Sequence, residues 1–274
     1  METKELQEIA SLLRFEAVRM VYEGGDGHPG PALSSADIVT ALYFDILKID
    51  PANPDWADRD RFILSKGHAC PIWYAALNER GYFQPKVEHF HLRQLHSEFQ
   101  GHPSMKNTRG IDMTTGSLGN GIAIGAGMAI AAKATGKDYY TYVICGDGEL
   151  QEGLCWEGAN MAAGRGLDNL IVFIDKNGYQ SYKTVDYTVG RNNPAERFMA
   201  FGWDVQEIDG HNFDEIKAAV AAAKQNKGKP SCIVCNCVKG KGVSYMENNN
   251  NWHKGVPTKE QFALAARELR GISL

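Results

Sequence analysis

YYTYVICGDGELQEGLCWEGANMAAGRGLDNLIVFIDKNG, residues 139–178, is the stretch of sequence that decides the fold. Two of its runs, YTYVICG and LIVFID, have the length and the β-branched and aromatic content of buried strands. The segment between them, which begins LQEG, has the length and composition of a helix. A strand, a helix and a second strand in this order form a right-handed unit whose two strands are parallel. The stretch therefore predicts a parallel sheet with a helix packed on it.

The same alternation continues on both sides of this stretch. On the C-terminal side we predict strands in WDVQEIDGH and SCIVCNCVKGKG, and helices in PAERFMAFG, FDEIKAAVAAAKQN and TKEQFALAARELRG. On the N-terminal side we predict a helix from Lys4 to Tyr22, a second from Ser34 to Leu47 whose Ser-Ser-Ala-Asp start offers an N-cap, a strand in RFILSKGH and a third helix from about Pro71 to Arg80. The prediction is an α/β fold, a mostly parallel sheet with helices on both faces, formed as one domain over residues 1–274.

Composition excludes several classes of protein. The net charge of −4 gives no electrostatic reason to expect a nucleic acid or a membrane surface as a partner. The first residues have a charged amphipathic pattern without an apolar signal segment, so we predict a cytoplasmic protein. Cys232 and Cys235 have the spacing of a metal or redox pair, but residues three apart in a strand point to opposite faces. We therefore predict that the six cysteines are reduced core thiols.

Polar side chains follow the two central strands at the point where each strand ends. Asp147 stands in a Gly-Asp-Gly turn after the first strand, and Asn177 stands before a glycine after the second. Because parallel strands joined by one helix end at the same edge of a sheet, the two side chains are expected to converge there. A carboxylate and an amide oxygen suit a hard cation such as Mg²⁺. The helix predicted to start near Leu150 would offer its positive end to a phosphate group.

Residues 146–178 resemble the thiamine diphosphate motif of transketolases, and the likeness extends along nearly the whole chain. The other matching segments are GHPGPALSSADI, NPDWADRDRFILSKGHA, LRQLHSEFQGHP, TTGSLGNGI, FGWDVQEIDGH and WHKGVP, in that order. The part of a transketolase that they resemble is its N-terminal, diphosphate-binding third. The resemblance implies a cofactor, thiamine diphosphate, held through Mg²⁺, for which Ca²⁺ or Mn²⁺ could substitute.

The resemblance also assigns roles to particular residues. It implies that Asp147, Asn177 and the backbone carbonyl of Tyr179 hold the metal. It implies cofactor contacts for Gly116, Leu118 and Gly148, with His68 and His253 near the diphosphate. The four histidines that match family positions along the path to the reacting ring are His28, His68, His102 and His253. Imidazoles suit a reaction in which sugar hydroxyls gain and lose protons near pH 7. Glu152 and Glu157 match acidic positions that face a partner across a two-fold contact.

The reaction implied is transfer of a two-carbon ketol unit from a ketose to an aldose, with sugar phosphates as substrates. In transketolases a second domain supplies the glutamate and the aromatic platform that activate the pyrimidine ring of the cofactor. The sequence ends at Leu274 soon after WHKGVP, so we expect a separate C-terminal subunit with the pyrimidine-binding domain, in an α2β2 assembly.

Three alternatives to a transketolase share parts of this pattern. One is the α subunit of a thiamine-dependent 2-oxo acid dehydrogenase or acetoin-cleaving complex, which would lack the histidine set. A second is a fragment similar to deoxyxylulose-phosphate synthases. A third is a cofactor-holding protein without turnover, for which an acid–base set of histidines would have no use. A nicotinamide-binding fold is excluded because no strand precedes Gly119 and no acidic residue follows at a suitable distance.

Overall fold

The computed structural model describes residues 1–181, 183–190 and 193–273. These residues include a five-stranded sheet. Its strands are β1 (Arg61–Leu64), β2 (Thr141–Gly146), β3 (Leu170–Lys176), β4 (Asp204–Asp209) and β5 (Ser231–Asn236). The order across the sheet is β1-β2-β3-β5-β4, and every neighbouring pair is parallel. The predicted parallel sheet is confirmed.

Helices connect the strands and cover the sheet on both sides. They are α1 (Thr3–Gly24), α2 (Pro29–Ser34), α3 (Ala36–Ala41), α4 (Cys70–Arg80), α5 (Asn120–Ala134), α6 (Gly153–Gly164), α7 (Val185–Val189), α8 (Pro194–Ala200), α9 (Phe213–Gln225) and α10 (Lys259–Arg270). Among the described residues, no helix combines the length and the apolar character needed to cross a membrane.

Alternate residues of the strands face two separate groups of buried side chains. On β2, Tyr142 and Ile144 pack with residues of α1, α3, α4 and α9, whereas Val143 and Cys145 pack with residues of α5, α6 and α8. This alternation is what a sheet covered on both faces requires. Cys232 and Cys235 of β5 lie in different groups, and the cysteines of the described chain are free. The prediction that these two thiols point to opposite faces is confirmed.

Two predicted helix starts differ in detail from the structure. The helix expected from Ser34 to Leu47 is divided, because α2 runs from Pro29 to Ser34, and Ser35 stands at the N-cap of α3 without a side-chain cap hydrogen bond. The Ser34 hydroxyl instead donates to the buried carboxylate of Asp175. The helix expected from Leu150 begins at Gly153. A tight turn over Glu149–Gln151 comes before it, because the Glu149 side chain accepts hydrogen bonds from backbone N–H groups outside the helix.

Candidate active site

The ends of β2 and β3 bring Asp147 next to the loop that carries Asn177. Gly146 and Asp175 are register partners on the two strands. One carboxylate oxygen of Asp147 accepts from the N–H of Gly148 at 2.9 Å, and the other accepts from the N–H of Gly178 at 2.7 Å. The Asp147 carboxylate therefore links the two strand ends, and the convergence expected from the topology is confirmed.

Asp147 is a buried carboxylate in a place that favours a cation. It is 3% exposed, and burial together with the nearby Asp175 raises its pKa to about 7. Each of its oxygens uses one lone pair for a backbone N–H, so each keeps a second one free. The other predicted ligands are an amide oxygen and a backbone carbonyl, which are hard donors of the kind that Mg²⁺ prefers. Within the described chain, no group of three or more His, Cys, Asp or Glu side chains is placed to hold a metal.

Asn177 has a defined orientation. Its Oδ1 accepts from the N–H of Tyr179 at 3.1 Å. Its Nδ2 donates to Asp175 Oδ1 at 3.3 Å and to Ser34 Oγ at 3.4 Å. The amide oxygen is thus on the side of the loop that carries Tyr179, and the amide nitrogen is turned toward β3 and α2.

Three of the predicted histidines form a compact triangle. The ring centroids of His28 and His68 are 5.2 Å apart, those of His28 and His253 are 5.5 Å apart, and those of His68 and His253 are 5.2 Å apart. The three rings come from the loop before α2, the turn after β1 and the segment after β5, so their approach is a result of the sheet order. His102 belongs to the same site through Gly116, described next.

Gly116 allows His102 to lie close to the loop that carries Gly116 and Leu118. The φ angle of Gly116 is +146°, a value that residues with a side chain rarely adopt. A Cβ atom placed there would meet the imidazole of His102 at 3.1 Å. A side chain at residue 116 would therefore press against the His102 ring.

The electrostatic environment keeps the imidazoles neutral near pH 7. Burial, with the positive charges of Arg93 and Lys254, lowers the pKa of His28 to about 4. Burial and Lys239 lower the pKa of His253 to about 3. Burial and Lys66 lower the pKa of His68 well below its usual value. Partial burial and Arg93 lower the pKa of His102 as well. A neutral imidazole has one nitrogen that can accept a proton, which makes the ring cationic, and one N–H that can donate a hydrogen bond.

All of the predicted catalytic, cofactor and metal residues border one cavity of about 430 Å³. They are His28, His68, His102, Gly116, Leu118, Asp147, Gly148, Asn177, Tyr179 and His253. Glu152 borders it too, on the side of α6. The cavity therefore joins the candidate metal ligands at one end of the sheet to the candidate acid–base residues.

Four charged residues of this region received no role from the sequence. Lys66 and Asp175 form a buried ion pair beneath Asn177, with side chains 3% and 0% exposed. Lys239 donates to Asn250 at 2.8 Å and contacts Nδ1 of His253 at 3.1 Å, and burial and Lys66 lower its pKa to about 8. Glu149 accepts from the Ser65 hydroxyl and the N–H groups of Gly119 and Gly146. Lys66 lies beside His68 in SKGH, which is the one signal in the sequence that pointed to it.

Glu152 and Glu157, the predicted interface residues, lie on the exposed side of α6. Leu154 and Met161 of the same helix are each 36% exposed, so apolar and acidic side chains share this surface. A contact with another chain at α6 stays a prediction.

Known proteins are similar to this chain over nearly its whole length. The family model for the thiamine diphosphate binding domain of transketolase matches residues 5–273. The 6-deoxy-6-sulfo-D-fructose transketolase subunit SqwG of Clostridium sp. is 44% identical over 97% of this chain and 96% of its own length. One of the subunits of the apulose-4-phosphate transketolase of Phocaeicola vulgatus is 40% identical over 98% of this chain and 94% of its own.

Solved structures of transketolases are also similar to this chain. The transketolase of Campylobacter jejuni superposes with a TM-score of 0.92 at 35% identity, over 100% of this chain and 44% of that one. The transketolase of Leishmania mexicana superposes with a TM-score of 0.90 at 34% identity, over 96% of this chain and 41% of that one. The chain therefore spans less than half the length of these enzymes. It belongs to the transketolase family and corresponds to its thiamine diphosphate binding domain.

Proposed function

We propose that this chain is the diphosphate-binding subunit of a two-chain transketolase, which moves a two-carbon ketol unit from an anionic ketose to an aldose. The observation that carries the proposal is the single cavity in which the oxygen ligands around Asp147 face the triangle formed by His28, His68 and His253. An α subunit of a 2-oxo acid dehydrogenase, which would lack the histidine set, is not favoured by this arrangement.

In this proposal Asp147, Asn177 and the carbonyl of Tyr179 hold Mg²⁺, and the metal holds the diphosphate. Gly116, Leu118 and Gly148 border the cavity where the cofactor would bind. Lys239 adds a positive charge at the same wall. Bound thiamine diphosphate would supply the electron sink for breaking and forming the carbon–carbon bond.

The histidines would then handle the protons of the sugar. Because the pKa values of His28 and His253 lie well below 7, both rings are neutral, and the unprotonated nitrogen of His28 can accept from a sugar hydroxyl. Lys239 carries its proton at pH 7, since its pKa is about 8. Its ammonium group donates to Nδ1 of His253, so the ring proton of His253 is on Nε2 and can be donated to the substrate.

The two-chain arrangement is supported by the relatives of similar length. Both are named as subunits, and this chain aligns with almost their whole sequences. Their names also specify sugars with a sulfonate or a phosphate, which supports an anionic ketose as the donor class. As part of the proposal, the C-terminal subunit brings the pyrimidine-binding domain, and the assembly is α2β2 with Glu152 and Glu157 at a two-fold contact. Residues 1–274 of this chain fold as one domain. The proposed location of the protein is the cytoplasm. Free buried cysteines suit a reducing compartment.

The test is to purify this chain with the product of a neighbouring reading frame that encodes the second domain, and to add Mg²⁺ and thiamine diphosphate. Phosphorylated and sulfonated ketoses are then screened as donors against a set of aldose acceptors. We expect ketol transfer from at least one anionic ketose, with unphosphorylated fructose as the matched neutral donor.

His102→Ala in the same complex serves as the control for background chemistry, because it removes an imidazole and leaves the metal ligands in place. Transfer should fall in that variant while cofactor binding is retained. The proposal fails if no anionic ketose is cleaved by the complex, or if this chain by itself catalyses transfer at the full rate.

A further inference from the structure

An asparagine that holds a metal must present its oxygen and not its nitrogen. The two ends of the amide have nearly the same shape, so neighbouring groups must decide which end faces the metal. At Asn177 the neighbours are two acceptors on one side and a donor on the other. Asp175 Oδ1 and Ser34 Oγ face the amide nitrogen, and the N–H of Tyr179 faces the oxygen.

Asp175 is the charged member of this set, and it is completely buried. Its second oxygen accepts from the Ser35 hydroxyl at 3.1 Å, from the Ser34 hydroxyl and from the Lys66 ammonium. Lys66 in turn donates to the carbonyl of Pro31 at 2.9 Å. The two oxygens of Asp175 therefore have different partners. One accepts from the Lys66 ammonium, and the other accepts from the amide nitrogen of Asn177.

We propose that Asp175 is a positioning residue for the metal site: anchored by Lys66, it fixes the Asn177 amide with its oxygen available to Mg²⁺. The proposal rests on the proposed function, since it concerns the orientation of one of the proposed ligands. It assigns a role to the Lys66–Asp175 pair, which borders the metal site without supplying a ligand.

A carboxylate is required at position 175 because an amide cannot serve both sides. Lys66 and the Asn177 amide are both donors, so residue 175 must accept on each side. In Asp175→Asn the new side chain has one acceptor and one donor. If its oxygen faces Lys66, its NH2 group opposes the NH2 group of Asn177. If its oxygen faces Asn177, its NH2 group opposes the Lys66 ammonium.

The experiment measures Mg²⁺ binding to the full chain at saturating thiamine diphosphate by isothermal titration calorimetry. We expect Asp175→Asn to weaken Mg²⁺ binding by about 10–100-fold, the usual size of the effect for a group that orients a metal ligand. Thermal unfolding followed by circular dichroism checks that the variant is folded, because Lys66 loses its counter-charge.

One double variant separates orientation from general damage. In Lys66→Met with Asp175→Asn, the new amide can turn its oxygen to Asn177 and its NH2 group to the Ser34 and Ser35 hydroxyls, which can accept. This variant should bind Mg²⁺ within about threefold of the unaltered chain, well inside the loss expected for Asp175→Asn. It also provides the test if Asp175→Asn alone does not fold, because it removes both charges of the buried pair.

The outcomes are distinguishable. Equal Mg²⁺ affinity in Asp175→Asn and the unaltered chain overturns the inference and leaves the proposed function standing. A loss that the double variant does not recover also overturns it, since Asp175 would then matter for a reason other than orientation. If the unaltered chain binds neither Mg²⁺ nor thiamine diphosphate, the proposed metal site fails and the inference fails with it.

Discussion

At the scale of the residue, Asp147 combines features that oppose each other in the absence of a metal. It is buried and it lies near a second carboxylate, and both raise its pKa. Two backbone N–H groups hold its oxygens in place. A divalent cation would remove the conflict, because it favours the ionised form.

We predict that Asp147→Ala weakens Mg²⁺-dependent binding of thiamine diphosphate by more than about 100-fold, since it removes the one carboxylate of the proposed ligand set. Titration of the chain with thiamine diphosphate, with and without Mg²⁺, measures this. Asp138→Ala is the control, because Asp138 is 85% exposed in a surface ion pair with Lys48. Unchanged affinity in Asp147→Ala would refute the assignment of the ligand.

The neutral histidines make the stability of the chain dependent on pH. The pKa of His253 is about 3 in the folded chain, whereas an unfolded histidine titrates near about 6.5. As the pH falls through about 6.5, the unfolded chain therefore gains a proton that the folded chain does not take up, and the free energy of unfolding decreases. His28 and His68 act in the same direction.

We predict that His253→Asn reduces the loss of Tm between about pH 7 and about pH 5, because one of these imidazoles is gone. Differential scanning calorimetry of both proteins without cofactor at the two pH values measures the difference. The raised pKa of Asp147 acts in the opposite direction over this range, but it is common to both proteins. If Tm decreases equally in the unaltered chain and in His253→Asn between the two pH values, the assignment of a depressed pKa to His253 is contradicted.

At the scale of the element, the contact between α5 and α6 depends on a glycine. A Cβ atom on Gly158 of α6 would lie 2.8 Å from the backbone nitrogen of Ala123 in α5, a distance that neither helix can relieve by a side-chain movement. On Gly127 of α5, a Cβ atom would have no neighbour within 4 Å. The close approach of these helices matters for the site, because α6 follows the turn that carries Asp147.

We predict that Gly158→Ala lowers the free energy of unfolding by about 1–3 kcal/mol through overpacking. Gly127→Ala, the matched substitution, should raise it by about 0.5–1 kcal/mol, because alanine favours a helix more than glycine does. Urea unfolding followed by circular dichroism distinguishes the two. An equal increase in the free energy of unfolding in both variants would show that α5 and α6 do not pack as closely as described.

At the scale of the whole molecule, the sheet divides the chain into a covered interior and a functional edge. Core side chains from both faces of the sheet meet helices, while the cavity opens at the carboxyl ends of the strands. α6 presents Glu152, Leu154, Glu157 and Met161 at the surface beside this edge. A partner that covers α6 would therefore lie next to the cavity.

We predict that Glu157→Arg weakens self-association of the assembly by about tenfold or more, equivalent to about 1.4 kcal/mol. The new side chain would place a longer, oppositely charged group in a two-fold contact. Sedimentation velocity over a range of concentrations measures the association. Glu8→Arg makes the same change at an exposed position of α1 and should have no effect; a similar shift in both variants would argue against a contact at α6.

Much of the fold could be predicted because it depends on local patterns and one rule of chirality. The alternating apolar strands give the parallel sheet, and the right-handed crossover brings Asp147 and Asn177 to one edge. The period of two in a strand also separates Cys232 from Cys235. The roles of individual residues came from the resemblance to transketolases, and the cavity contains every residue that it named for catalysis, cofactor and metal.

Only the tertiary structure decided which distant groups meet and what charge they carry. Lys66 and Asp175 are 109 positions apart, and no local pattern states that the turn after β1 reaches across β2 to the end of β3. The same is true of Glu149, whose side chain accepts from Ser65, Gly119 and Gly146 just before α6 begins at Gly153. The sequence by itself determined the sheet and the edge at which chemistry can occur. The depth of burial, which lowers the pKa values of the histidines, and the contacts around the Asn177 amide are properties of the packed molecule and follow only from its three-dimensional arrangement.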